Sequence, residues 1–165
     1  MGSAPNARLT KRRRMQRNGM TGWRIGYAGG PRNLITAMNK LQSHITGGAS
    51  AVSQAAAVAA LNMDPALLKA RAAIYQRRRD LVCEILSTTS ALEVVKPKGA
   101  FYVFVRVVDS RPLAGRTIDD LLLDHGVAVI AGEAFGAPGW FRMSIATHDD
   151  DLRMACTRIR SAFPG

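Results

Sequence analysis

The 165-residue chain is long enough to bury a hydrophobic core, and its 47% apolar and 21% charged residues are the proportions of an ordinary soluble globular protein. No stretch approaches the roughly 20 uninterrupted apolar residues of a membrane span, and no apolar segment follows the basic N-terminus, which argues against a secretory signal. About half of the net charge of +11 lies in Arg8, Lys11, Arg12, Arg13, Arg14 and Arg17, with no aromatic residue between them to stack on a base. Residues 1–17 therefore read as a solvated, disordered basic leader, and a non-catalytic domain using it on nucleic acid or acidic protein is the weaker alternative. Cys83 and Cys156 fit neither a disulfide framework nor a metal-ligand spacing, and predict small buried thiols in a reducing cytoplasm.

Along the chain, residues 1–18 show neither helical nor strand periodicity. Trp23 to Ala28 predicts a short buried strand closed by Gly29-Gly30-Pro31. Pro31 suits a helix start, and Leu34, Met38, Leu41 and Ile45 mark one face of the helix that follows, which Gly47-Gly48 breaks. An alanine-rich helix is expected from Ser50 to Leu61. Asp64-Pro65 opens a long amphipathic helix, with Leu67, Ile74, Leu81 and Ile85 on the face that packs and Lys69, Arg77, Arg79 and Asp80 opposite. Strands are predicted at Leu92 to Val95, Phe101 to Val107, Val127 to Ile130 and Trp140 to Ala146. A helix from Thr117 to His125 ends at Gly126, and a last helix begins at Asp149 with Leu152, Cys156, Ile159 and Phe163 buried. This order argues an α/β to α+β packing with no internal repeat.

Two arginines stand out chemically. Arg24, after the Gly22-Trp23 pair, is placed to hold a dianionic phosphate with two parallel hydrogen bonds, or to pair with a surface carboxylate. Arg142 shares a strand with Phe141, Met143 and Ile145 but points with Ser144 to the other face, where it needs an anion. A substrate carboxylate would serve, as would Asp109 or Glu133, and for both arginines the pattern alone favours the protein partner. Lys98-Gly99-Ala100-Phe101-Tyr102 and Ala131 to Gly136 match neither a P-loop nor a dinucleotide fingerprint, and read as tight turns. His44, His125 and His148 lie at no metal spacing, and Asp149-Asp150-Asp151 reads as a helix cap.

Taken together, Met20 to Tyr27, Gly29-Gly30-Pro31, Gln54 to Ala57, Pro97 to Tyr102, Gly126 to Gly136 and Phe141 to Thr147 resemble the class I/II, fold-type I aminotransferases. The match is to the aspartate-aminotransferase-like branch, over roughly residues 18–163. The resemblance implies the C-terminal part of the pyridoxal-phosphate-dependent transferase fold: the end of a large domain over 18–62 and a small C-terminal domain over 63–165. It turns both arginines toward ligands. Arg24 would bind the phosphate of pyridoxal 5'-phosphate, Arg142 would clamp the α-carboxylate of the amino acid, and the turn with Gly99 and Tyr102 would border the substrate entrance. The family reaction moves an amino group from an amino acid to a 2-oxo acid. A lysine holds the cofactor covalently and moves the proton at the substrate Cα. Complete members are expected to be homodimers.

Two departures qualify this expectation. The family places Ser-Lys five and four residues before the methionine, and here those positions hold Met15 and Gln16. Glutamine neither forms the covalent link nor takes up a proton at neutral pH, and Lys11, nine residues before Met20, lies too far away to replace the lysine. The large-domain residues that flank the cofactor ring are also missing. The chain is therefore expected to be a truncated aminotransferase, inactive alone, or a half-enzyme completed by a partner chain.

Overall fold

The computed structural model describes the backbone of Lys11–Arg14 and, in full, residues 20–164, which divide after Lys69 into two units. That division falls inside a helix, a few residues beyond the boundary at 62/63 expected from sequence.

In the first unit, strand β1 (Lys11–Arg14) pairs antiparallel with β2 (Gly26–Gly29), Lys11 opposite Gly29 and Arg14 opposite Gly26. These four residues differ from the leader without regular structure expected there. The ladder is made by main-chain groups and needs no side-chain alternation, so the arginine run carries no sign of it. The strand expected from Trp23 to Ala28 is shorter and less buried than its apolar letters suggest. Thr21 to Arg24 form a turn, with Trp23 N–H donating to Met20 O and Arg24 N–H to Thr21 O. Trp23 and Tyr27 are exposed.

Helix α1 (Arg32–Ile45) follows Pro31, whose carbonyl accepts from Ile35 N–H at 3.0 Å, and it stops at Thr46 before Gly47 and Gly48, both at positive φ. Its apolar stripe is not buried: Met38, Leu41 and Ile45 are exposed. Helix α2 (Ala51–Leu61) packs Ala60 on Met20, with Ile25, Ala56, Ala57 and Met63 around them. Small alanine side chains let the helix backbone come close to the Met20 turn.

Helix α3 (Pro65–Leu86) starts as the sequence predicts, with the Asp64 carboxylate accepting from Ala66 N–H at 2.8 Å. Only its C-terminal part is buried, through Val82, Cys83 and Leu86, whereas Leu67, Ile74 and Tyr75 are exposed. The packed face predicted along the whole helix is thus confined to its last turns.

The second unit is a four-stranded antiparallel sheet in the order β3 (Leu92–Val95), β4 (Tyr102–Val107), β6 (Trp140–Ser144) and β5 (Ile130–Ala131). Alternation puts Val103, Val105, Val107, Phe141 and Met143 on one face, where they meet the end of α3, α4 (Ile118–Asp124) and α5 (Asp149–Ala162) in a single core. Phe141, Phe163, Leu86, Leu122, Leu152 and Ile159 are fully buried in it. This unit is an α+β layer with its helices on one side. Helix α4 is capped by Thr117, whose hydroxyl accepts from Asp120 N–H, and Gly126 at φ +71° turns the chain out of it. Helix α5 is capped by His148 rather than by the aspartates. Its ring nitrogen accepts from Asp150 N–H, and Asp149 turns instead toward Arg77 and Arg78.

Candidate functional site

In the first unit, the turn bearing Arg24 is held by α2: Ser53 Oγ donates to Trp23 O at 3.0 Å. Arg24 itself sits at φ +50°, a left-handed conformation that costs a side-chain-bearing residue energy and is kept where the surroundings require it. The sequence places Arg24 near the start of a strand; it lies in the turn before one, where Trp23 N–H and Arg24 N–H donate to Met20 O and Thr21 O and the strand begins only at Gly26. The turn borders an open cleft of about 1230 Å³, lined among others by Trp23, Arg24, Tyr27, Gln42, Ser53 and Gln54. The guanidinium of Arg24 donates to Thr21 O at 3.5 Å and, among the described residues, has no carboxylate partner. An unpaired cation at a concave wall with amide and hydroxyl groups fits a phosphate. The covalent end of pyridoxal phosphate has no matching residue at the position expected for it, since Gln16 stands there in the sequence; it lies outside the described residues.

The second unit presents Arg142 on the sheet face away from the core. Across the β4–β6 ladder Arg142 pairs with Phe104 and Tyr102 with Ser144, so Tyr102 is the diagonal neighbour of Arg142. The guanidinium carbon lies 4.2 Å from the centre of the Tyr102 ring and 4.5 Å from that of Phe135. Neither carboxylate offered by the sequence takes it. Asp109 is held by Arg111 at 2.6 Å, which lowers the Asp109 pKa to about 2, and Arg142 has no ion pair among the described residues. Gly99 and Ala100 form the bend that leads into Tyr102, with Ala100 at φ +67°. The structure thus joins Arg142 to Tyr102 directly and to Gly99 through the turn. Arg24 belongs to the other unit.

The sequence reading missed Phe135, Phe104 and Trp140. Phe104 stacks on Trp140 at 5.1 Å and meets the edge of Phe135 at 6.0 Å, so the floor beneath Arg142 is aromatic. The alternation of Tyr102 with Phe104 and of Trp140 with Arg142 carried this signal. Without the register between the two strands it could not be assembled into one face.

A sequence profile of the family described as aminotransferase class I and II matches residues 17–159. An aspartate aminotransferase of Rhizobium meliloti is 46% identical over 153 residues, covering 87% of this chain and 37% of the relative. A probable aspartate/prephenate aminotransferase of Rickettsia prowazekii is 42% identical, with 87% and 38% covered. The crystal structure of the Rhizobium meliloti aspartate aminotransferase matches with a TM-score of 0.78 at 45% identity, covering 87% of this chain and 38% of that one. The Thermus thermophilus aspartate aminotransferase with maleate matches at 0.76 and 39% identity, with the same shares covered. The chain therefore spans under two fifths of the length of these relatives.

Proposed function

Because the chain belongs to the class I and II aminotransferase family, we propose that it is the C-terminal part of a pyridoxal-phosphate-dependent aminotransferase. In this reading it keeps the two anion-binding arginines and lacks the lysine that completes the chemistry. The observation that carries the proposal is that Arg24 and Arg142, both matching the family's motifs, have no carboxylate partner among the described residues. When bound, pyridoxal phosphate supplies a conjugated ring that draws the electron pair from the substrate Cα. The chain's own residues bind and orient. Arg24 holds the phosphate through charge-assisted N–H donors, and Arg142 holds the α-carboxylate edge-on, with the ring of Tyr102 against its face. The turn with Gly99 and Tyr102 borders the substrate entrance.

The family's substrates are amino acids and 2-oxo acids; the relatives' names make aspartate the first amino acid to test, with 2-oxoglutarate as a 2-oxo acid acceptor. No residue in this account moves the proton, since Gln16 does not ionise near neutral pH. Binding without turnover is therefore the activity proposed for the 165-residue chain. A cytoplasmic location agrees with two free thiols, Cys83 and Cys156, and homodimerisation is proposed for the complete family member.

A second reading is favoured by the exposed apolar residues of α1, Leu41 at 62% and Ile45 at 76%. Here the chain is half of an enzyme, and another polypeptide covers this face and brings the lysine. Neither reading requires a membrane, and among the described residues no helix is long and apolar enough to cross one.

Equilibrium dialysis tests the proposal. The chain is expected to retain pyridoxal phosphate in preference to pyridoxal, and Arg24→Gln to abolish that preference. Equal retention of both compounds by the unaltered chain would refute the phosphate role.

A further inference from the structure

Phe135 lies on the short 3-10 turn Gly132–Phe135, outside the three strands that carry Arg142 and its ladder partners Phe104 and Ile130. Its ring centre is 4.5 Å from the guanidinium carbon of Arg142, and Tyr102 contributes a second ring at 4.2 Å. The two rings come from different elements, β4 and the turn after β5, and the one guanidinium carbon lies over both of them. Each ring offers its negative face to the cation, and each removes water from one side of it. Rings stacked against its faces leave a guanidinium its in-plane N–H edge for a ligand. That edge can fork onto two oxygens of a carboxylate or of a phosphate, but the remaining oxygens of a phosphate stand out of the guanidinium plane, on the sides the rings occupy.

The turn holding Phe135 is itself fixed. Ala137 N–H donates to Gly132 O at 2.9 Å, Gly136 N–H donates to Glu133 O at 3.1 Å, and the Phe135 ring is braced edge-on by Phe104, which stacks on Trp140. Phe135 is nonetheless 45% exposed, so burial in a core does not account for it. We propose that Phe135 is a positioning residue for Arg142, closing the second face of the guanidinium so that the site takes a planar carboxylate and discriminates against tetrahedral anions. The proposal rests on the reading of Arg142 as the carboxylate-binding arginine.

The test uses the full 165-residue chain and the Nε–H resonance of Arg142, assigned by its loss in Arg142→Gln, titrated separately with acetate and with inorganic phosphate. In the unaltered chain, acetate is expected to move this resonance at lower concentration than phosphate. Phe135→Leu is expected to weaken acetate binding roughly three- to tenfold and to erase the preference over phosphate, while Phe135→Tyr retains both. A change in anion preference is a readout that simple loss of packing does not produce. If Phe135→Leu loses the dispersed signals of the folded core, Tyr102→Leu removes the other ring, and the same loss of preference is expected. An acetate response and preference unchanged in these variants would overturn the positioning role and leave Arg142 as the carboxylate site. An Arg142 resonance that acetate does not move in the unaltered chain would overturn both.

Discussion

Gly132 lies so close to Trp140 that no side chain fits between them: a Cβ on Gly132 would come within 2.8 Å of Trp140 Cβ and Trp140 O, and 2.1 Å from Ala137 O. Two of these three atoms are backbone, so a methyl group cannot be absorbed by a rotamer change. Gly132→Ala is expected to destabilise the chain by about 1–3 kcal/mol and to displace the turn that carries Phe135. Urea denaturation measures the first effect and Trp140 fluorescence the second. Gly136→Ala, at φ +69° with nothing within 4 Å of the added carbon, should cost only about 1 kcal/mol. Equal costs at the two positions would show that space around Gly132 is not the constraint.

Asp149 joins α5 to α3 by accepting from Arg78 Nε at 2.8 Å and from Arg77 at 3.1 Å. The hydrogen bond from Arg78, followed by that from Arg77, holds the Asp149 carboxyl below its ordinary pKa. A depressed folded-state value means that the unfolded chain binds the proton first as pH falls. This contribution is therefore complete above the ordinary carboxylate range and disappears as pH drops through the lowered folded value. Asp149→Asn should lower the melting temperature at pH 7 and leave it unchanged at low pH, where the unaltered carboxyl is also neutral. A difference that persists undiminished at low pH would contradict the ion-pair account.

Burial, with a smaller push from Cys83, raises the Cys156 thiol to about 12, and burial is also the leading cause of the raised value at Cys83. Neither thiolate is appreciably populated near pH 8. A thiol-reactive disulfide reagent at that pH should leave the folded chain almost unlabelled and react with two thiols per chain in urea. Prompt labelling of Cys156 in the folded chain would show that the core around it opens.

Thr117 links the loop to the first turn of α4 through its hydroxyl, which accepts from Asp120 N–H at 3.3 Å. Thr117→Ala should cost about 1 kcal/mol in urea denaturation, and Thr117→Ser should recover most of it.

Local chemistry made much of the second unit legible in the sequence. Leu92 to Val95 and the buried residues of α5 follow from hydrophobic period, and the limits of α4 follow from Thr117 and Gly126. Features resting on pairing between distant segments were not legible. Nothing in Lys11–Arg14 signals a partner strand, and the aromatic face under Arg142 appears only once β4 and β6 are in register. The α1 stripe shows the converse: its period is helical, but period alone does not reveal whether anything covers it. At the candidate site, Arg24 and Arg142 were visible through ordered family motifs, while Phe135 was hidden in a run that reads locally as a glycine turn.

The most direct measurement is turnover of the 165-residue chain with saturating pyridoxal phosphate, aspartate and 2-oxoglutarate, followed through oxaloacetate formation. The expected result is a rate no higher than that of the same mixture without protein, because the proposed reading puts Gln16 at the position of the lysine. Sustained turnover by the purified chain, lost in Arg142→Gln, would contradict this account and show that another residue moves the proton.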